Sequence, residues 1–444
     1  MLIVLLIDIL LLVTGVLFVL RPRRVNEFSN RVLCAVRLMK RARLGAPVPR
    51  WENVLTFVIG MLLTAFAVTD LSGLRVAVAP PRTPMWASST APALDPVIRN
   101  EIDAGVGKLM SSGKCMGIVV GVVDGDKSAV LGYGRKSFGS INPPDADTVF
   151  EIGSITKTFT ALCLGIMDGR GEVKLDDPLS RYLPPTTRVP EYKGRKITLV
   201  DLATHTSGLP TVPGSAWRWI GDDPYASYTT GMTYDFLSTY KLTRAPGAQY
   251  DYSNMGMGLV GLALSRTCGT SYEEMVGSLI WKPLGMTDTA IRLSKDQQSR
   301  FADGCMRQSR LGRLQVFIPA SPWTMRECFV GAGGIRSTAN DMIKYMKANM
   351  GLGPNGHALP FDAVQKKRRD IGGPLWVGLG WHGFKHDKDV DLVWHNGGTG
   401  GYTSLIIFSR KHRTGLVILA NSADPGGAID TLGHELLVSM LERK

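Results

Sequence analysis

Residues 151–165 read EIGSITKTFTALCLG. Ile155, Phe159, Leu162 and Ile166 recur at helical spacing, which predicts a helix with one apolar face and puts Ser154 and Lys157 together in its first turn. A serine there sits where backbone N–H groups and the helix dipole favour negative charge, the charge that attack on a carbonyl produces. A lysine one turn along accepts the serine proton if burial or another cation lowers its pKa. The same spacing also fits a capping serine and a solvent-facing lysine, so the pair alone leaves both readings open.

Two further stretches favour chemistry. In QYDYSNMGMG, Tyr252 and Asn254 lie two apart in an extended segment before an apolar helix, so both side chains point the same way. A tyrosine beside a lysine serves as a proton shuttle, and an asparagine orients the lysine and holds a substrate amide. In WHNGGTGGYTS, His395 stands at a strand end, and Gly397 and Gly398 after it let a substrate approach the backbone closely.

In the order S-x-x-K, Y-x-N, H-x-G, these stretches resemble the three-motif set of the serine β-lactamase and penicillin-binding-protein superfamily, in particular its class C branch. VKLDDPLSRYLPP, RVPEYKGRKITLVDLATHTSGLP, WKPLGMTDT, GAGGIRSTANDMIKYM and VGLGW are similar to the same branch, and most of all to its AmpH-type D-alanyl-D-alanine carboxypeptidase/endopeptidases. The resemblance covers roughly residues 96–442. It implies that Ser154 is the acylated nucleophile and that Lys157 and Tyr252 share the general-base role. It further implies that Asn254, His395 and Gly397 bind substrate, and that the N–H groups of Ser154 and Gly398 form the oxyanion hole. No cofactor or metal is implied. The implied substrate is a peptide or ester, with peptidoglycan peptides and β-lactams as the classes in view. The expected activity is a D,D-carboxypeptidase/endopeptidase; an esterase, a class C-like β-lactamase and a non-turnover penicillin- or muropeptide-binding sensor are the alternatives. Two departures bear on this. Many class C β-lactamases carry lysine in the third motif, where His395 is at best partly charged near neutral pH. They also have a glutamine soon after GLP, where this chain reads Thr211-Val212-Pro213.

The implied fold is α/β and β-lactamase/transpeptidase-like. Its parts are readable directly: a helix over Pro96–Met110, a hairpin around Asp124-Gly125, strands in DLVWHNG, YTSLIIFSR and TGLVILANS, and a last helix over Ile429–Leu441. Strands at both ends of the domain with a helical middle, about 175–350, fit one antiparallel sheet built from both termini and flanked by helices.

The chain's 444 residues, 44% hydrophobic, suffice for a large core, and its +13 charge is concentrated. Residues 21–50 hold nine Lys/Arg against Glu27 alone, which removes the case for a nucleic-acid-binding face on the rest. That basic segment lies between the apolar runs Leu2–Leu20 and Val54–Val68. Residues 1–71 therefore read as a two-helix lipid-embedded anchor with a cytoplasmic basic loop. Residues 72–95 follow as a linker, and the hydrolase domain, 96–444, lies on the extracytoplasmic, periplasmic side of the cytoplasmic membrane. A cleaved export signal at the second run and a buried core hairpin are the competing readings.

Of six cysteines, Cys305 and Cys328 flank a polar, irregular stretch and are the candidate pair for one bridge. Gly256–Gly261 matches G-x-G-x-x-G but follows no core strand, and is read as close helix packing behind Tyr252. Gly113–Gly117 is read as a turn, and His382 and His386 as parts of a polar turn without a carboxylate partner. His205 fits a structural or a supporting role, and Trp217, Trp219 and Tyr225 fit a substrate groove or a cap on the helical region.

Overall fold

Strand Gly117–Asp124 (β1) is apolar on both faces, and this explains the architecture around it. Ile118, Val120 and Val122 face one core, and Val119 and Val123 face another, as the two-residue period of a strand requires. The computed structural model describes residues 77–78, 94–214, 223–311, 314–353, 359–387, 390–424 and 426–444. Helix Pro96–Ser111 (α1), capped by the Asp95 side chain on the Val97 N–H, covers one face of the sheet together with the last helix. The hairpin follows, β1 pairing with Lys127–Gly134 (β2) across the turn at Gly125-Asp126.

The chain then leaves the sheet for helix Thr156–Gly169 (α2), helix Asn254–Cys268 (α3), helix Glu327–Gly333 (α4) and helix Ala339–Asn349 (α5). It returns in strands Arg369–Gly372 (β3), Leu375–Val377 (β4), His382–Asp387 (β5), Val390–Gly398 (β6), Thr403–Ser409 (β7) and Thr414–Ala420 (β8), and ends in helix Ala428–Leu441 (α6). The eight strands form one antiparallel sheet in the order β3-β4-β5-β6-β7-β8-β1-β2. The seam between the two ends of the domain runs from Thr414 opposite Asp124 to Ala420 opposite Ile118. Alternate residues of β7 and β8 feed the same two cores. Leu405, Ile407, Leu416 and Ile418 pack toward α1 and α6, while Ile406, Phe408, Val417 and Leu419 pack toward the helical region.

Several expectations change. The stretch between Cys305 and Cys328 is not irregular. Cys305–Leu311 and Leu314–Pro319 form a hairpin, to which Ala77–Val78 adds a third strand, so part of the expected linker is paired. Cys305 and Cys328 are free thiols. The Cys305 Sγ lies 3.0 Å from the Asn421 carbonyl and 3.2 Å from the Ser422 hydroxyl, whereas Cys328 is buried in α4 beside the Tyr228 carbonyl. Gly113, with φ 62°, is a turn after α1, as read. His382 and His386 lie on a strand, two residues apart from Phe384, and not in a turn. Among the described residues no helix is long and apolar enough to cross a membrane; the expected anchor at 1–71 lies outside them.

The G-x-G-x-x-G run is helix packing, as expected. A Cβ added to Gly258 would stand 2.0 Å from the Cys328 carbonyl oxygen, and Gly261 meets Gly331 backbone to backbone. Gly258→Ala is therefore expected to lower stability by about 1–3 kcal/mol. Gly107→Ala, in α1 with nothing within 4 Å of its added Cβ, is expected to raise it by about 0.5–1 kcal/mol. Urea denaturation of the two variants checks the contrast.

Candidate active site

Ser154 lies in a single 3₁₀ turn, Gly153–Ile155, that runs into α2. The turn is fastened on both sides. The Ser404 hydroxyl of β7 donates to the Ile152 carbonyl at 2.8 Å, the Ile152 N–H reaches the Ile335 carbonyl, and the Ile335 N–H reaches the Thr156 hydroxyl. Gly153 has φ 47°, and a Cβ there would stand 2.8 Å from the Gly398 nitrogen; one on Gly397 would stand 2.1 Å from the Ile152 oxygen. The end of β6 is thus pressed against the serine turn, which puts the backbones of Gly153 and Gly398 side by side.

Lys157 is fully buried, and its Nζ is 2.8 Å from the Ser154 Oγ and 2.7 Å from the Ala332 carbonyl oxygen of α4. Burial alone drives its pKa well below the ordinary lysine value. The Nζ also lies 4.9 Å from the centre of the Tyr252 ring. The Tyr252 phenol hydrogen-bonds Ser154, and burial pushes its pKa up. The arrangement therefore favours loss of the proton at the amine and its retention at the phenol, both beside one hydroxyl.

His205 sets the position of Tyr252. Its backbone is left-handed, with φ 57°, an uncommon state for a residue with a side chain. The bend lets its carbonyl accept the Asp251 N–H at 2.7 Å while its Nδ1 accepts the Ser253 N–H at 3.1 Å, so bonds flank Tyr252 on either side. The His205 ring also lies 4.6 Å from the Tyr252 ring. Ser253 caps α3 through the Gly256 N–H at 2.9 Å, which delivers Asn254 at the first helical position. The Asn254 Nδ2 donates to the Tyr225 hydroxyl at 3.5 Å, and its Oδ1 is buried without a partner among the described residues. Tyr225 packs edge-on against Trp323 at 5.2 Å, so it belongs to the site wall; Trp217 and Trp219 lie outside the described residues.

His395 differs from expectation. It is fully buried, its Nδ1 bonds the Asn396 carbonyl at 2.6 Å, and burial holds its pKa well below the usual histidine value. A buried neutral imidazole cannot anchor a carboxylate by charge. It packs instead 5.1 Å from His382, the residue that sequence reasoning placed on the surface. His382 shares a 2.8 Å hydrogen bond with the Tyr250 hydroxyl, and burial lowers its pKa to about 4. The only sequence signal for it was its position directly after VGLGW. The Ala332 carbonyl, as a backbone group, had none.

With this geometry, the comparisons are consistent. The sequence matches the family described as Beta-lactamase over residues 102–438. It is 38% identical over 233 residues to the D-alanyl-D-alanine-carboxypeptidase/endopeptidase AmpH of Escherichia coli K12, covering 52% of this chain and 56% of that protein. The chain therefore spans little more than half the length of that relative. It is 28% identical over 379 residues to a beta-lactamase of Pseudomonas fluorescens, covering 77% of this chain and 99% of the relative. In fold it is similar to a class C beta-lactamase solved in complex with cefoxitin, at TM-score 0.67 and 23% identity, covering 78% of this chain and 99% of the other. A beta-lactamase/D-alanine carboxypeptidase of Yersinia pestis, complexed with citrate, gives TM-score 0.64 at 24% identity, covering 77% of this chain and 98% of that one. This chain belongs to the serine hydrolases of the beta-lactamase family.

Proposed function

We propose that the chain hydrolyses D-alanyl peptides of peptidoglycan through an acyl-enzyme on Ser154, as a D,D-carboxypeptidase/endopeptidase. The observation that carries this is the buried Lys157 amine at 2.8 Å from the Ser154 Oγ. A neutral amine donates one N–H to the Ala332 carbonyl and accepts the serine proton on its lone pair as the oxygen attacks. Tyr252, kept protonated, hands a proton to the leaving amine, and the Ser154 and Gly398 N–H groups receive the developing oxyanion. The open Oδ1 of Asn254 offers an acceptor to a substrate amide. The named activity of the AmpH relative supports the peptide substrate. Placement of the domain outside the cytoplasmic membrane belongs to the same proposal and rests on the pattern of residues 1–71.

A second reading is an esterase, favoured by the neutral, buried His395 and by the absence of a glutamine after Pro210. The intact mass of the full chain mixed with a penicillin, then with a D-alanyl-D-alanine peptide, separates the two. A single adduct absent from Ser154→Ala, together with release of D-alanine, is the peptidase outcome. Hydrolysis of short acyl esters with neither adduct nor D-alanine release replaces it with the esterase. In either case Ser154→Ala should lower turnover by about 10³-fold or more.

The acylation rate should fall on acidification with a midpoint below the ordinary lysine value, because Lys157 must be unprotonated and its pKa is depressed. The alkaline limb should lie above the ordinary tyrosine value, because the Tyr252 pKa is raised. Stopped-flow acylation across pH measures both limbs. Lys157→Met should lower the rate by about 10²–10⁴-fold yet raise the melting temperature. Folding strips the lysine of its proton, so the native chain loses stability relative to Lys157→Met as pH falls from the ordinary lysine range toward the depressed value. A melting temperature below native at neutral pH would contradict the assignment of a neutral amine.

A further inference from the structure

The sheet's outer edge begins at β3, and Lys366, Lys367 and Arg368, which lead into it, and Arg369, which opens it, are all cations. They line one side of a cavity of about 530 Å³, and Val200, Asp201 and Thr204 line the other. Two of the four cations are compensated locally. Lys367 pairs with Asp370 at 2.5 Å, and Arg368 lies in the field of Asp168 and Asp176. Lys366 and Arg369 make no ion pair among the described residues. The one acid in the lining does not neutralise them. Asp201 is buried and already accepts the Thr198 N–H at 2.9 Å, the Thr198 hydroxyl at 2.7 Å and the Arg195 guanidinium at 3.0 Å. The Arg369 guanidinium reaches across to that wall: a Cβ on Gly247 would stand 3.0 Å from its Nη2 and 3.4 Å from the Asp201 Oδ1. Charge on an edge strand guards against pairing with another chain. That explains Arg369 on β3 itself, but not Lys366, Lys367 and Arg368, which precede the strand and line the same cavity.

We infer that this cavity binds a phosphate-type oxyanion, free or as a lipid headgroup, between Lys366 and Arg369. The arginine fork matches the oxygens of a tetrahedral anion, and lysine supplies a point charge beside it. The volume lies within the range of small-ligand sites. No aromatic side chain lines it to stack a base, so the oxyanion itself is the recognised group. Both walls continue into the catalytic region. Thr204 precedes His205, and the segment at Val364 is tied through the Leu379 N–H, with the Gly380 N–H bonding Ala203, to the approach to β5 and His382.

The test is calorimetric titration of the full chain with inorganic pyrophosphate at fixed ionic strength. Saturable binding is expected, weakened at least about tenfold in the Lys366→Glu, Arg369→Glu double variant and unchanged in Lys114→Glu, a remote surface control. The Lys366→Gln, Arg369→Gln pair gives the same reading if charge reversal impairs folding. Titration with dihexanoyl-phosphatidylglycerol below its micelle concentration, a soluble lipid whose headgroup binding is separable from residues 1–71, distinguishes the sources. Binding of this lipid that is lost in the double variant assigns a lipid headgroup, and pyrophosphate binding with no lipid binding assigns a free ligand. Absence of saturable binding to both probes, or binding unchanged in a folded double variant, overturns the inference.

Discussion

The rest of the site depends on one amine held out of water. An isolated buried ammonium is too unfavourable to persist, so a fully buried lysine gives up its proton unless a carboxylate stands beside it. Among the described residues none stands beside Lys157. Its neighbours are the Ser154 hydroxyl, the Ala332 carbonyl, the Tyr252 ring and a set of imidazoles that burial keeps neutral. Glu151, three residues before the nucleophile, is buried too, but it is turned to the Arg336 guanidinium at 3.0 Å and the Trp323 N–H at 3.0 Å. The nearest acid in sequence is thereby engaged away from Lys157.

Holding such a base in place falls to backbone contacts. The Ala332 carbonyl reaches Lys157 because α4 lies directly on α3, and it does so because glycines occupy the contact. On the opposite side, the left-handed turn at His205 registers residues 251–253 and so fixes the phenol. Burying several imidazole nitrogens without partners is unfavourable. Their burial is what keeps the region around the amine free of charge, so stability is given up where reactivity needs it.

The fold was legible where one signal dominated. The helix after Ser154, the hairpin at Asp124, the last three strands and α6 follow from apolar periodicity and turn residues, and the motif order picked out Ser154, Lys157 and Tyr252, which the fold brings together. What escaped had a physical reason. His382 sits among polar residues, HGFKHD, because β5 is near the sheet edge and only its first positions are buried, so its pattern mimics a turn. The hairpin at 305–319 was hidden by its mixed polar sequence; its Cys305 and Phe317 belong to a small third cluster with Met116, apart from the two large cores. His395 was recognised as a site residue, but its charge state depends on burial by segments distant in sequence, which local spacing does not encode.

The seam between β8 and β1 joins residues roughly three hundred positions apart, and β6, which supplies Gly398, is among the last strands in the chain. Closing so long a loop delays formation of the sheet, since its entropy must be met before the pairing is gained. A chain emerging N-terminus first makes Ser154 and Lys157 early, but it lacks the strand that faces them until the C-terminal strands arrive. Ser154, Lys157 and Gly398 therefore come together only when the two ends of the domain close into one sheet.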